Sequence, residues 1–142
     1  MKLVQHLLDS KGREIISIAG DASVFDAIKL MADRAVGSLL VLEGDKLLGI
    51  VTERDYARKV IIKGRASEST RVDEIMTTDL VTATPGQSVN HCMTLMSENR
   101  IRHLPVLADG KVAGLISIGD LVQAIISDQQ EAIEQLEQYI SG

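Results

Sequence analysis

Two stretches of the chain set a hydroxyl and a carboxylate three residues apart. They read Gly49-Ile-Val-Thr52-Glu-Arg54-Asp55 and Gly114-Leu-Ile-Ser117-Ile-Gly-Asp120. In each, the hydroxyl ends an apolar run and the acid opens a helical pattern. One use of that spacing is structural. Ser/Thr-x-x-Asp is close to a capping box, in which hydroxyl and carboxylate satisfy exposed helix amides, and an acid in the first turn suits the helix dipole. The other use is recognition. A helix N-terminus with a hydroxyl can receive a phosphate, and a carboxylate can hold the paired hydroxyls of a ribose, as an acid does in dinucleotide folds. The two uses are compatible, and together they would bracket a nucleoside phosphate.

A second cluster, Arg100-Ile101-Arg102-His103-Leu104-Pro105-Val106, puts Arg102 and His103 just before an apolar strand. They are either solvated rim residues or a phosphate clamp, since arginine offers a fixed fork of donors and imidazole adds another. Arg54, Arg58, Lys59, Lys63 and Arg65 give one helical segment a basic side. A solvated face accounts for most of them. Arg54 stands out because it sits beside Thr52 at the helix start. His6 and His91 have no ligand-like partners at useful spacing, and the sequence holds no Cys/His metal pattern, P-loop or G-x-G-x-x-G. No nucleophile–base set is suggested. The expectation is a non-enzyme with no catalytic cofactor and no metal.

The elements that must position these residues occur twice. Displaced by 65 positions, Ile16–Ile61 falls on Val81–Ile126 without a gap. Such a repeat governs the reading of the fold. In the first copy, Ile15–Ala19 reads as a strand, and Ser23–Asp33 as an amphipathic helix with Ser23 as N-cap. Ser38–Leu42 and Leu47–Thr52 read as a hairpin around Glu43-Gly44-Asp45, and Glu53–Ile62 as a helix. The second copy predicts strand Val81–Thr84, helix Ser88–Glu98, strands His103–Leu107 and Val112–Ser117, and a helix from Gly119. That last helix runs on toward Ile140, and the pattern leaves open whether it is broken. Val72-Asp-Glu-Ile75-Met76 matches Val4-Gln-His-Leu7-Leu8, so each copy has a short lead-in helix. The fold class is α/β (α+β), two β-α-β-β-α repeats. The copies divide at residues 1–65 and 66–142, the second with a C-terminal helical extension. About 60 residues per copy is marginal alone, so a shared core is expected.

Composition narrows the partners. Of 142 residues, 45% are hydrophobic, but Trp is absent and Phe and Tyr total three, too few platforms to stack single-stranded nucleic acid. Of the net charge of −5, four units come from the tail, where Asp128, Glu131, Glu134 and Glu137 face no Lys or Arg. A near-neutral body gives no field for DNA or an anionic membrane. The lone Cys92 excludes an internal disulfide and reads as a core residue. The opening residues do not form a signal peptide, and no run spans a membrane. A cytoplasmic location is expected.

The lead-in ending Asp-Glu-Ile75-Met76-Thr, the helix after Ser88-Val89, the run Arg102-His103-Leu-Pro105-Val106, and Gly-apolar-apolar-Thr/Ser-x-x-Asp resemble the CBS domain, named for cystathionine beta-synthase. Two in tandem cover essentially the whole chain, as in small stand-alone bacterial CBS-pair proteins. In the first copy Leu40 stands where the family has Pro. The resemblance implies a pseudo-two-fold pair that often forms homodimers and binds an adenine nucleotide (AMP, ADP, ATP or NAD(H)) or S-adenosylmethionine between its copies. It implies ribose contacts from Asp55 and Asp120, and phosphate contacts from Thr52, Arg54, Arg102, His103 and Ser117. Adenine would meet Ile16, Ile18, Val36, Gly37, Thr82, Ala83, Thr84 and Ile101. One cleft would join Ser117 and Asp120 to Ile16–Ile18, Val36 and Gly37. The other would join Thr52, Arg54 and Asp55 to Thr82–Thr84, Ile101 and Arg102, and would be the stronger anion site. The expected function is a regulatory module that senses the nucleotide and signals to a protein partner. The alternative is a ligand-independent interaction protein working through its C-terminal helix.

Overall fold

The computed structural model describes residues 2–141. Its elements are α1 (Val4–Lys11), β1 (Ser17–Ile18), α2 (Val24–Arg34), β2 (Ser38–Glu43), β3 (Lys46–Thr52), α3 (Glu53–Tyr56), α4 (Val89–Asn99), β4 (His103–Ala108), β5 (Lys111–Ser117) and α5 (Ile118–Ser141). A five-residue π-helical stretch, Ala57–Ile61, continues α3, and a 3-10 turn covers Val72–Glu74. The α+β class and the order of elements follow the sequence reading.

The chain divides into two compact units. One comprises Ile15–Leu80; the other comprises residues up to Glu14 together with those from Val81 onward. This partition corrects the division at residue 65. Hydrogen bonds explain it. Val72 N–H donates to Ala22 O and Val24 N–H to Thr70 O, so the second lead-in segment lies against the start of α2. In the other unit, Val4 N–H donates to Gln87 O and Val89 N–H to Lys2 O, so α1 lies against the start of α4. Each lead-in packs with the copy it does not precede. Each unit has a cluster of buried apolar residues of its own. Val24, Ala27, Met31, Leu39, Val41 and Val72 lie in the first, and Val4, Leu8, Cys92, Met96, Leu104 and Leu121 in the second.

In the Ile15–Leu80 unit, β1 pairs in parallel with β2, and β2 pairs antiparallel with β3. α2 starts where Ser23 Oγ accepts from Asp26 N–H at 3.0 Å, an N-cap of the expected kind. The other unit repeats the pattern, with Ser88 capping α4 and β4 antiparallel to β5. One expected strand is missing. Val81–Thr84 contributes only the bridge Ala83–Val106. In the first copy Leu40 N–H donates to Ile16 O, which extends the ladder. The matching residue is Pro105, which has no N–H to give.

α5 is one unbroken helix of 24 residues. Its first turns bury Leu121 and Ala124, and from Gln129 to Ser141 every residue is exposed.

Candidate functional site

Both hydroxyl–carboxylate pairs form the capping box their spacing predicts. At α3, Asp55 N–H donates to Thr52 Oγ1 at 3.1 Å, and Thr52 N–H donates to Asp55 Oδ2 at 3.0 Å. At α5, Asp120 N–H donates to Ser117 Oγ at 3.2 Å, and Ser117 N–H to Asp120 Oδ2 at 2.8 Å. The loop before each central strand docks on the same joint. Glu53 N–H donates to Gly37 O, and Ile118 N–H to Arg102 O. Within one unit, therefore, Gly37 adjoins Thr52, Arg54 and Asp55. Within the other, Arg102 adjoins Ser117 and Asp120, and His103 lies opposite Ser117 in the β4–β5 register. The resemblance had grouped Arg102 with Thr52 and Asp55; inside its own unit it is anchored at the α5 joint.

The remaining expected residues are spread more widely. Ile18 lies on β1, paired with Val41, and Ile16 accepts from Leu40; both are half-buried, as are Val36, Thr82 and Ile101. Ala83 is buried, with N–H and C=O both bonded to β4, while Thr84 is exposed. Arg54 and Arg102 are exposed.

The two carboxylates differ in what else they hold. Asp55 is buried, its side chain 10% exposed, and Oδ1 takes Lys59 Nζ at 3.0 Å and Thr77 Oγ1 at 3.3 Å. Asp120 is 24% exposed and takes Lys11 Nζ at 2.7 Å. It borders a cavity of about 290 Å³ between α1 and α5, whose polar lining includes Lys2, His6, Ser10, Lys11, Gln123 and Ser127. The volume is at the lower end for small-molecule sites. The sequence reading placed Lys59 only on a basic helical side and did not single out Lys11. Lys59 had a signal, the i,i+4 spacing from Asp55. Lys11 had none, because its partner is more than a hundred positions away.

Burial opposes the charge on Asp120, but the Lys11 ammonium and the Ser117 N–H outweigh it and hold the carboxyl below its ordinary value. Burial lowers the His103 imidazole below its ordinary 6.5; the Asp120 charge pulls the other way, and Lys11 and Arg102 reinforce the fall. The folded state thus holds His103 neutral where the unfolded chain would protonate it. With the folded pKa depressed, the stabilisation is full above pH 6.5 and is lost as the pH falls from there toward the folded value. Tm should drop between pH 7.5 and 5.5 in the wild type and drop less in His103→Gln. Equal drops would refute this assignment.

Among the described residues no group of His, Cys, Asp or Glu is placed to hold a metal ion, and no helix is long and apolar enough to cross a membrane.

A family model for the CBS domain matches residues 11–62 and 72–127. A mitochondrial CBS domain-containing protein of Arabidopsis thaliana, CBSX3, is 42% identical, over 98% of this chain and 72% of its own length. A CBS-domain protein of Burkholderia ambifaria MC40-6 is 53% identical, with a TM-score of 0.86 over 90% of this chain and 96% of its own. The CBS domain pair of the protein MJ0100 is 25% identical, with a TM-score of 0.80 over 90% of this chain and 98% of its own. It was solved with 5′-methylthioadenosine and S-adenosyl-L-methionine.

Proposed function

The chain belongs to the CBS-domain family, and from that premise we propose that it is a regulatory, non-catalytic module that binds an adenosine-containing ligand. AMP, ADP, ATP and NAD(H) are the candidate ligands. The observation that carries the reading is the helix start at Ser117–Asp120, where a partly exposed carboxylate borders a cavity and Arg102 and His103 adjoin the strand end at Ser117. Asp120 would take the ribose hydroxyls, while Ser117, Arg102 and His103 would take phosphate. Thr52, Arg54 and Asp55 are the equivalent set at α3. Adenine contacts fall to Ile16, Ile18, Val36, Gly37, Thr82, Ala83, Thr84 and Ile101. The ligand complex of MJ0100 supports an adenosine moiety as the common element. A homodimer in the cytoplasm, read by a protein partner, completes the proposal. Ligand shifts the module only by binding one arrangement more tightly than another.

Thermal unfolding against AMP, ADP, ATP, NAD, NADH and S-adenosylmethionine tests it. Binding to the native state raises Tm in a concentration-dependent way, by the equivalent of about 2.7 kcal/mol at a hundred times Kd. At least one of these ligands should raise Tm, and Asp120→Ala should abolish the rise while leaving the protein folded. No rise at millimolar ligand would refute the reading and favour the interaction protein.

A further inference from the structure

α5 carries two apolar stripes, and the fold uses one. Leu121 and Ala124 face the core of their unit. Val122, Ile126, Ile133, Leu136 and Ile140 lie outside it, at 40%, 47%, 55%, 60% and 82% exposure. Their spacing is heptad. With Ile126, Ile133 and Ile140 at a, the d positions are Val122, Gln129 and Leu136. The helix beyond Gln129 has every residue exposed, so it lacks the packing of an apolar face from which most helical stability comes.

We propose that this stripe pairs with the same stripe of a second copy as a parallel two-stranded coiled coil. Three features select that occupant. Isoleucine fills all three a positions and Leu136 is the one leucine at d, the combination that favours two parallel strands. Gln129, the one polar seam residue, finds a hydrogen-bonding partner in another Gln129 only when the helices run parallel and in register; antiparallel, it would face an apolar a residue. The charges also permit self-pairing. Asp128, Glu131 and Glu134 occupy the outer c, f and b positions, and Glu137, at e, would face Ala132 of the other helix rather than another acid. A basic partner helix would need acidic flanks along the seam, and Glu137 is the only one. Six seam side chains per helix, at about 60–120 Å² each, bury on the order of 1,000 Å², the lower edge of a specific interface. The dimer is therefore concentration-dependent. The inference does not depend on the ligand reading.

Sedimentation of the full chain between about 1 μM and about 1 mM, the affinity range of a small interface, tests it. The wild type should pass from monomer to dimer. Ile133→Glu/Ile140→Glu should stay monomeric with unchanged Tm, because both side chains are exposed. Gln129→Cys in a Cys92→Ala background should form an intermolecular disulfide under mild oxidation. A dimer that survives the double substitution overturns the proposal, since it uses another surface. A wild type monomeric throughout overturns it as well and leaves the stripe to a partner of different sequence. Absence of the Gln129→Cys disulfide in a wild-type-like dimer overturns the parallel arrangement.

Discussion

Asp55→Ala is expected to destabilise the protein by about 2–4 kcal/mol, and Asp120→Ala by about 1 kcal/mol, although the two acids occupy the same place in the repeat. The sum for Asp55 has two parts. Removing the acid from the first turn of α3 costs up to about 1 kcal/mol, while the Thr52 hydroxyl keeps its bond from the backbone N–H of residue 55. The half-buried donors left behind, the Thr52 N–H and the Thr77 hydroxyl, cost about 1–3 kcal/mol more. Lys59 adds less than a buried cation would, because it is 44% exposed and water can take its ammonium. Asp120 leaves the first turn of α5 in the same way, but Lys11 and the mouth of the cavity are open to solvent. Asp55→Asn keeps an acceptor for the Thr52 N–H and should recover part of the loss. Urea denaturation of the three variants decides the matter, and equal losses for the two alanine variants would contradict it.

Gly49→Ala is expected to cost about 1–3 kcal/mol, the range for overpacking, with Gly114→Ala costing less. A Cβ on Gly49 would stand 2.7 Å from Thr77 O, a backbone atom. That carbonyl accepts from Ile50 N–H, and Ile50 O accepts from Thr77 N–H, so moving the strand aside breaks a two-way bridge. A Cβ on Gly114 would meet Leu8 Cδ2 at 2.6 Å, the end of a side chain that can rotate. Gly86→Ala, with open space around it, is the control. A Tm for Gly49→Ala within a degree of the control would show that the bridge yields more easily than its hydrogen bonds imply.

These contrasts mark what the sequence could tell. The repeat, the two caps at Ser23 and Ser88, and the Thr52–Asp55 and Ser117–Asp120 boxes were legible because each is settled within a few residues. The loss of a strand at Val81–Thr84 was not, because Pro105 acts on it only through the pairing of two segments far apart in sequence. The placement of α1 was not legible. Its apolar pattern asks for a core but does not say which, and two cores of the same make were available. Lys11 illustrates the same limit. A lysine at a helix end is ordinarily solvent-facing, and only the tertiary position of α1 brings it to Asp120. Arg54 marks the Thr52–Asp55 joint as the stronger anion site in the sequence; in the structure Asp55 holds Lys59 and Thr77, while Asp120 holds Lys11 and borders a cavity.

The interleaving of the units also sets an order on biosynthesis. Residues 15–80 are contiguous, so their core can close as soon as they have left the ribosome. α1 emerges earlier still, but Val4, Leu7 and Leu8 are buried with Leu104, Ile116 and Leu121. At about 5–20 residues per second, roughly 5–20 s pass between the two events. During that wait an eight-residue helix has too few turns to persist alone. α1 is made before the Ile15–Leu80 unit and is buried after it, and until then the nascent chain carries three bare aliphatic side chains ahead of a finished unit.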